Sequence, residues 1–468
     1  MRTLGAMLAI LACGISAVHA ALPQEEPTLE AIVSATVDPI IEAELQKTGT
    51  PGATFVFVHG GKIVYQRGYG VSDLKSAAPV DPARTLWPIA SISKIATAMA
   101  VLQLVGDGRV GLDTDVNRYL RRIQVPAQGF PPLTLRHLLT HTGGLDELPG
   151  RQFDGVARQD IAAFTRDRLV RYRAPGLQTA YSTYGVLLAA IVLEDVAGQA
   201  YADYLRDHIF KPAGMASARV MSVRGDEKGV ATPYRVEDGE AEAMPYEWYV
   251  STPTSSIAAT AEDMGRLLLL HLAEGRAGNH QVLSPALTRS MHEQQATIHP
   301  AIPGWSLGMQ MDRANGRTVA EHGGDIGGFS ALFAVLPEED SGFFIVNHGE
   351  GSNLRFDVKE ALLDRLYPAR KKPLVPAPRP ENLPAIKEFA GAYRSSLACH
   401  SCPDADDSPF TVEVRSEGTL SLWGQVWVPL QQDLFIREDG KRLLGFARDA
   451  QGKVTTVSAG SWRVAERL

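Results

Sequence analysis

Six prolines fall between Tyr367 and Pro384. Such a stretch holds the backbone stiff and extended, and it continues neither a helix nor a central strand. The chain is therefore expected to fold as two units, residues 30–367 and 385–468, with 368–384 as the linker. Its 468 residues exceed one ordinary core, which agrees with that division.

The two parts differ in kind. Before the linker, Leu29 to Leu45 patterns as an amphipathic helix. Ala53 to Val58 and Ile63 to Tyr65 are β-rich runs around His59-Gly60-Gly61-Lys62, which predicts a hairpin. Helices are expected over Ile92 to Val105, Arg136 to Thr140, Gly185 to Ala197 and Ala261 to Ala273. Leu332 to Leu336 and Gly342 to Val346 read as strands, and Ala361 to Leu366 as a closing helix. Sheet at both ends with helices between predicts an α+β unit whose terminal segments share one sheet. After the linker, Phe410 to Val414, Thr419 to Trp423, Gln425 to Leu430, Leu434 to Ile436, Arg442 to Phe446 and Lys453 to Val457 are short strands broken by turns. They predict a small all-β barrel or sandwich.

Residues 1–20 read as a signal peptide. Arg2 supplies the charge, Leu4 to Leu11 the apolar core, and Val18-His19-Ala20 the small residues before a cut at Ala21. A periplasmic or secreted location follows as an expectation. Ile10-Leu11-Ala12-Cys13 loosely resembles a lipoprotein box, so a lipid anchor at Cys13 is the alternative, though its leader would be very short. No later segment reaches the roughly 18 apolar residues of a membrane span. The composition, 45% hydrophobic and 21% charged, is ordinary for a globular protein. The net charge of −7 argues against a nucleic-acid partner. Arg370, Lys371 and Lys372 make only a short solvated patch. Cys13 leaves with the signal, which isolates Cys399 and Cys402. In an oxidising compartment a local disulfide is the plainest reading of that pair. Zinc would need four ligands where this segment offers three. Haem would need His where Pro403 stands, and a redox site would need a βαβ context.

The chemistry centres on Lys94. The helix that follows it is apolar on nearly all sides, so it is buried, and a buried lysine is costly to keep charged. Desolvation depresses its pKa, and a neutral amine can act as a general base. Ser91, three residues earlier, shares its helix face. A serine hydroxyl needs such a neighbour to attack a carbonyl, and a helix N-terminus favours the oxyanion that forms. Ser-x-x-Lys alone is commonly a capping serine beside a surface lysine. Two further pieces accompany it. Tyr181-Ser182-Thr183 precedes an apolar helix, and a tyrosine near a lysine cation could hold a lowered pKa and shuttle a proton. His322-Gly323-Gly324-Asp325 allows close approach to backbone N–H groups, although it also reads as an ordinary strand-entry turn.

Together these pieces resemble the serine β-lactamase and penicillin-recognising family, in its class C-like branch with esterases, D-aminopeptidases and DD-peptidases. Ser91-Ile92-Ser93-Lys94 matches the first motif. The stretches from Leu135 to Leu145, Tyr181 to Gly185 and Ala259 to Met264 resemble segments of this branch, and His322-Gly323-Gly324 falls where the third motif belongs. The resemblance covers roughly residues 30–367. It implies an antiparallel sheet flanked by helices with an all-helical subdomain. It also implies that Ser91 is the nucleophile and that Lys94 and Tyr181 share base and acid work. The N–H groups of Ser91 and Asp325 would form the oxyanion hole. Thr183, His322, Gly323 and Gly324 would lie against a small-molecule or peptide substrate. His137 and His141 lack a third ligand and read as structural, so no metal or cofactor is expected.

Two departures bear on substrate. Thr183 stands where the second motif usually ends in Asn, offering one short hydroxyl in place of an amide. His322 stands where β-lactamases carry Lys, and a neutral imidazole supplies no fixed charge for a carboxylate. Both favour ester or amide substrates, such as D-residue or cell-wall-derived peptides, over β-lactams. β-Lactamase activity is the second reading, and a non-catalytic binder or sensor on the same fold the third. A pure binder has no need of a buried lysine.

Overall fold

The computed structural model describes residues 27–147, 160–221, 227–247, 251–369, 374–402 and 408–468. The expected signal peptide with Cys13, the basic trio at 370–372 and Pro403 lie outside them. Among the described residues no single helix is long and apolar enough to cross a membrane.

Gly52–His59 (β1) is buried on both faces, so both must be covered. Its hairpin partner Lys62–Asp73 (β2) follows a turn in which Gly60 and Gly61 both adopt positive φ, 58° and 75°. Two such residues give a turn whose twist matches the strands, as the Gly-Gly pair predicts. Ala78–Pro79 (β3) pairs with the outer side of β2. Gln310–Ala314 (β4), Arg317–Ile326 (β5), Phe329–Leu336 (β6) and Ser341–His348 (β7) complete a seven-stranded antiparallel sheet, ordered β4-β5-β6-β7-β1-β2-β3. β1 pairs directly with β7, Ala53 opposite Asn347 and His59 opposite Ser341. The two ends of the unit thus share one sheet.

Alternation along β1 decides which layer each side chain joins. Phe55 and Phe57 pack with Val33, Val37 and Ile41 of Leu29–Thr48 (α1), while Val56 and Val58 face the opposite core. That second core contains Ser93–Gly106 (α2), Thr183–Ala197 (α3) and Ala261–Leu272 (α4). Leu354–Leu366 (α5) joins α1 over the first face. α3 begins two residues earlier than its apolar pattern suggests, because the Ser182 hydroxyl accepts the Gly185 N–H at 3.0 Å and caps it. α5 likewise starts at Leu354, ahead of the apolar run from Ala361.

The C-terminal unit is a closed eight-stranded barrel. Its first and last strands, Gly391–Ser395 and Val464–Arg467, pair with each other and close it. Closure removes the open edges that a sandwich would leave. Tyr393, Trp427, Phe435 and Phe446 fill its interior. Helical turns at Pro380–Asn382 and Leu383–Ile386 lead in from the linker and contribute Ile386 to that core.

Candidate active site

A short 3-10 turn, Ala90–Ile92, precedes α2 and presents Ser91. Ala90 holds φ at 48°, a left-handed conformation that an L-residue with a Cβ adopts at a cost. The turn lies against β5. A Cβ on Gly324 would sit 2.5 Å from the Ile89 carbonyl oxygen and 3.3 Å from the Ser91 nitrogen, so only glycine allows this approach. β4 pairs with β5 no further than Glu321, so among the described residues 322–326 are paired only with β6.

Lys94 Nζ lies 3.0 Å from Ser91 Oγ and donates to the Thr254 carbonyl at 3.1 Å. Lys94 is 2% exposed. Burial lowers its pKa to about 7, against an opposing pull from Glu147. A substantial neutral fraction at neutral pH makes it a usable base within reach of the hydroxyl proton. The ammonium position is 4.9 Å above the Tyr181 ring centroid. Among the described residues the Tyr181 hydroxyl has no well-directed hydrogen bond, though it is near enough to Ser91 for that hydroxyl to pull its pKa down. Burial outweighs this pull and drives the phenol above its ordinary value. The lowered pKa expected from a nearby cation is therefore corrected: desolvation dominates, and Tyr181 is a proton donor in this state.

His322 is fully buried, its ring among those of Tyr181, Trp305 and Trp462. Burial, and next the charge of Lys94, lowers its pKa to about 3. Nδ1 is 2.6 Å from the Gly323 carbonyl oxygen, so it carries the proton, and Nε2 has no hydrogen-bond partner among the described residues. Gly323 is partly exposed and Gly324 is buried against the Ile89–Ala90 turn. The Asp325 carboxylate is held by Ser330, the Gly351 N–H and Arg355, the last at 2.6 Å. Thr183 is buried and gives its backbone N–H to Glu147 at 2.9 Å. His137 closes a capping box with Thr134, and His141 Nδ1 accepts the Ser182 N–H at 3.0 Å. The two histidines thus support local turns.

The barrel supplies part of this site. Its hairpin at Ser461-Trp462 reaches the N-terminal unit, where Trp305 Nε1 donates to the Ser461 carbonyl at 3.1 Å. The Trp462 ring lies 4.2 Å from that of Tyr181, and its indole N–H donates to Gln310. Gln178 bonds Ser396 at 2.7 Å and Glu466 at 3.0 Å. Cys399 and Cys402 form a disulfide, and its loop grips Asp146. The N–H groups of His400 and Ser401 donate to that carboxylate at 2.9 and 2.7 Å. The His400 ring stacks on Tyr172 at 3.9 Å.

The sequence profile of the beta-lactamase family matches residues 37–366. The chain belongs to the beta-lactamase family. Protein flp of Staphylococcus aureus (strain MW2) is 24% identical over 338 residues, covering 70% of this chain and 65% of that protein. The chain thus spans less than two thirds of the length of that relative. Among solved structures, SurE with D-Leu aligns at a TM-score of 0.64 and 21% identity, over 94% of this chain and all of that one. A class C beta-lactamase aligns at 0.62 and 18%, over 72% of this chain and 97% of that one. The beta-lactamase fold here therefore comes with the C-terminal barrel as an addition.

Glu147, Trp305 and Trp462 escaped the sequence reading. The only local signal for Glu147 was an acidic pair, Asp146-Glu147, directly after Gly143-Gly144-Leu145. Nothing in the barrel sequence pointed Trp462 at Tyr181.

Proposed function

We propose that the protein is an exported serine hydrolase that forms a covalent acyl-enzyme on Ser91 with amide or ester substrates, peptides with a D-residue among them. The observation that carries this is the 3.0 Å contact between Ser91 Oγ and a buried Lys94. Ser91 Oγ attacks the carbonyl carbon while its proton passes to Lys94 Nζ. The N–H groups of Ser91 and Asp325 face the tetrahedral oxyanion. Tyr181, protonated at rest, gives its proton to the departing nitrogen or oxygen and is reprotonated from Lys94. Water then cleaves the acyl ester with the same groups in reverse.

The neutral His322 supports esters and amides over substrates anchored by a carboxylate, because it offers no fixed positive charge. The structural likeness to SurE, solved with D-Leu, supports a D-residue within that class. The test is a substrate panel of nitrocefin, short-chain nitrophenyl esters, and D-Ala and L-Ala peptides free at either end. Ester or D-peptide turnover is expected, with fluorophosphonate labelling that disappears in Ser91→Ala. Lys94→Arg keeps the charge but lacks a neutral form, so turnover should fall by about 100-fold or more. Wild-type protein that neither labels nor turns over any member of the panel would remove this function. Dominant nitrocefin hydrolysis would replace it with β-lactamase activity.

A further inference from the structure

We infer that Glu147 is a positioning residue of the Ser91 centre: its carboxyl group ties the Tyr181 segment to α3 and its charge acts on Lys94. The inference rests on the acyl-transfer reading above and deepens it.

Geometry is the first support. Glu147 Oε2 accepts the backbone N–H of Thr183 at 2.9 Å. Thr183 opens α3, two residues after Tyr181, so an acidic group sits at the positive end of a 15-residue helix. Ser182, between them, caps the same helix at Gly185 and gives its N–H to His141. The segment carrying Tyr181 is thus fixed on both sides. The carboxyl group itself is held from behind. Asp146, the preceding residue, donates its N–H to the Val170 carbonyl at 2.8 Å, and the disulfide loop of the barrel grips its side chain.

Charge is the second support. Among the described residues Glu147 is the charged group that pulls the pKa of Lys94 upward, against desolvation. Lys94 in turn pulls that of Glu147 down, while burial raises it. His141 and His322 also face Lys94, but both are held neutral by burial. Tyr172, Tyr181 and Tyr184 feel the charge of Glu147 and stay protonated. The charge on Glu147 therefore sets how much of Lys94 is the neutral amine that can act as a base. Such a partner matters here because Thr183 offers only a short hydroxyl where an amide side chain would reach toward the lysine.

The test compares wild type with Glu147→Gln and Glu147→Asp. Glutamine keeps the acceptor for Thr183 and removes the charge. In Glu147→Gln the acid limb of kcat/KM should move to lower pH by about one unit, because the lysine loses the charge that raised its pKa. Turnover should fall by about tenfold to 100-fold in kcat, with KM little changed. Glu147→Asp should recover part of both. A purely structural role would instead leave the pH limb in place and change stability alone, and that result overturns the inference. Protein labelled with 13C at the lysine ε-carbon reads the Lys94 titration directly, with Lys94→Arg identifying the signal. This readout needs no turnover, so it separates failure of the inference from failure of the proposed function. An unmoved Lys94 titration in Glu147→Gln overturns the inference even if wild type has no measurable activity.

Discussion

Lys94 is kept in a place that costs the fold stability. An exposed lysine titrates near 10.4, and this one near 7. Below pH 7 the unfolded chain and the folded chain both carry the proton, and the folded state bears the full burial penalty of roughly 4–5 kcal/mol. Between 7 and 10.4 the unfolded chain binds more protons than the folded one, so the penalty shrinks as pH rises. Lys94→Met removes the buried charge, leaves the Thr254 carbonyl without its partner at a cost of roughly 1–3 kcal/mol, and leaves Glu147 to take up the proton that its burial already favours. The variant should therefore be inactive yet more stable by about 2 kcal/mol at pH 6. Thermal unfolding at pH 6 and pH 9 checks both parts: the gain should narrow at the higher pH. A destabilised variant at pH 6 would mean that Lys94 is held by its contacts rather than against them.

The strand that lines the site is fastened from behind by a helix. Lys359 of α5 reaches Asp312 on β4 at 2.7 Å and Glu321 on β5 at 2.5 Å. Glu321 directly precedes His322. Lys359→Met would leave two carboxylates buried beside each other, a change that costs roughly 3–5 kcal/mol by the measure of broken buried pairs. Chemical denaturation should show that loss, and it should lessen toward low pH as the carboxyls take up protons. At this level much was readable in advance. The Gly-Gly hairpin, the helix after Lys94 and the β6–β7 pair announce themselves by turn residues and apolar runs. What stayed hidden has a common cause. Val464–Arg467 has two apolar residues and Gly391–Ser395 begins with glycine, so neither carries a strand pattern, and only pairing with each other makes them strands. Glu147 and Trp462 are single side chains on loops, without the spacing that placed Ser91 and Lys94 on one face. The direction of the Tyr181 shift was misread because adjacency to a cation can be guessed from sequence, whereas the depth of burial cannot.

The whole molecule joins its two units at the chemistry. The barrel hairpin places Trp462 against Tyr181, and the disulfide loop holds Asp146 beside Glu147. The C-terminal unit is therefore a wall of the active site. Trp462→Ala should open that wall without unfolding the barrel, because Trp462 stands outside the barrel core. Bulky acyl esters should gain on acetyl esters by about tenfold in kcat/KM. Unchanged relative rates across an ester series of increasing size would show that substrates do not touch this face.

The pairing of β1 with β7 has a consequence for synthesis. Ala53 meets Asn347 across about 300 residues of intervening chain. As the polypeptide leaves the ribosome, β1 is made early, apolar on both faces, and its partner on one side does not exist until residue 348 has emerged. Loop closure over that span is slow, and the early strand stays exposed in the meantime. The nascent chain is thus kept from its native sheet for most of its translation and must be shielded from aggregation. For an exported chain, as proposed above, the same delay keeps it threadable, the state needed to pass unfolded through a membrane pore.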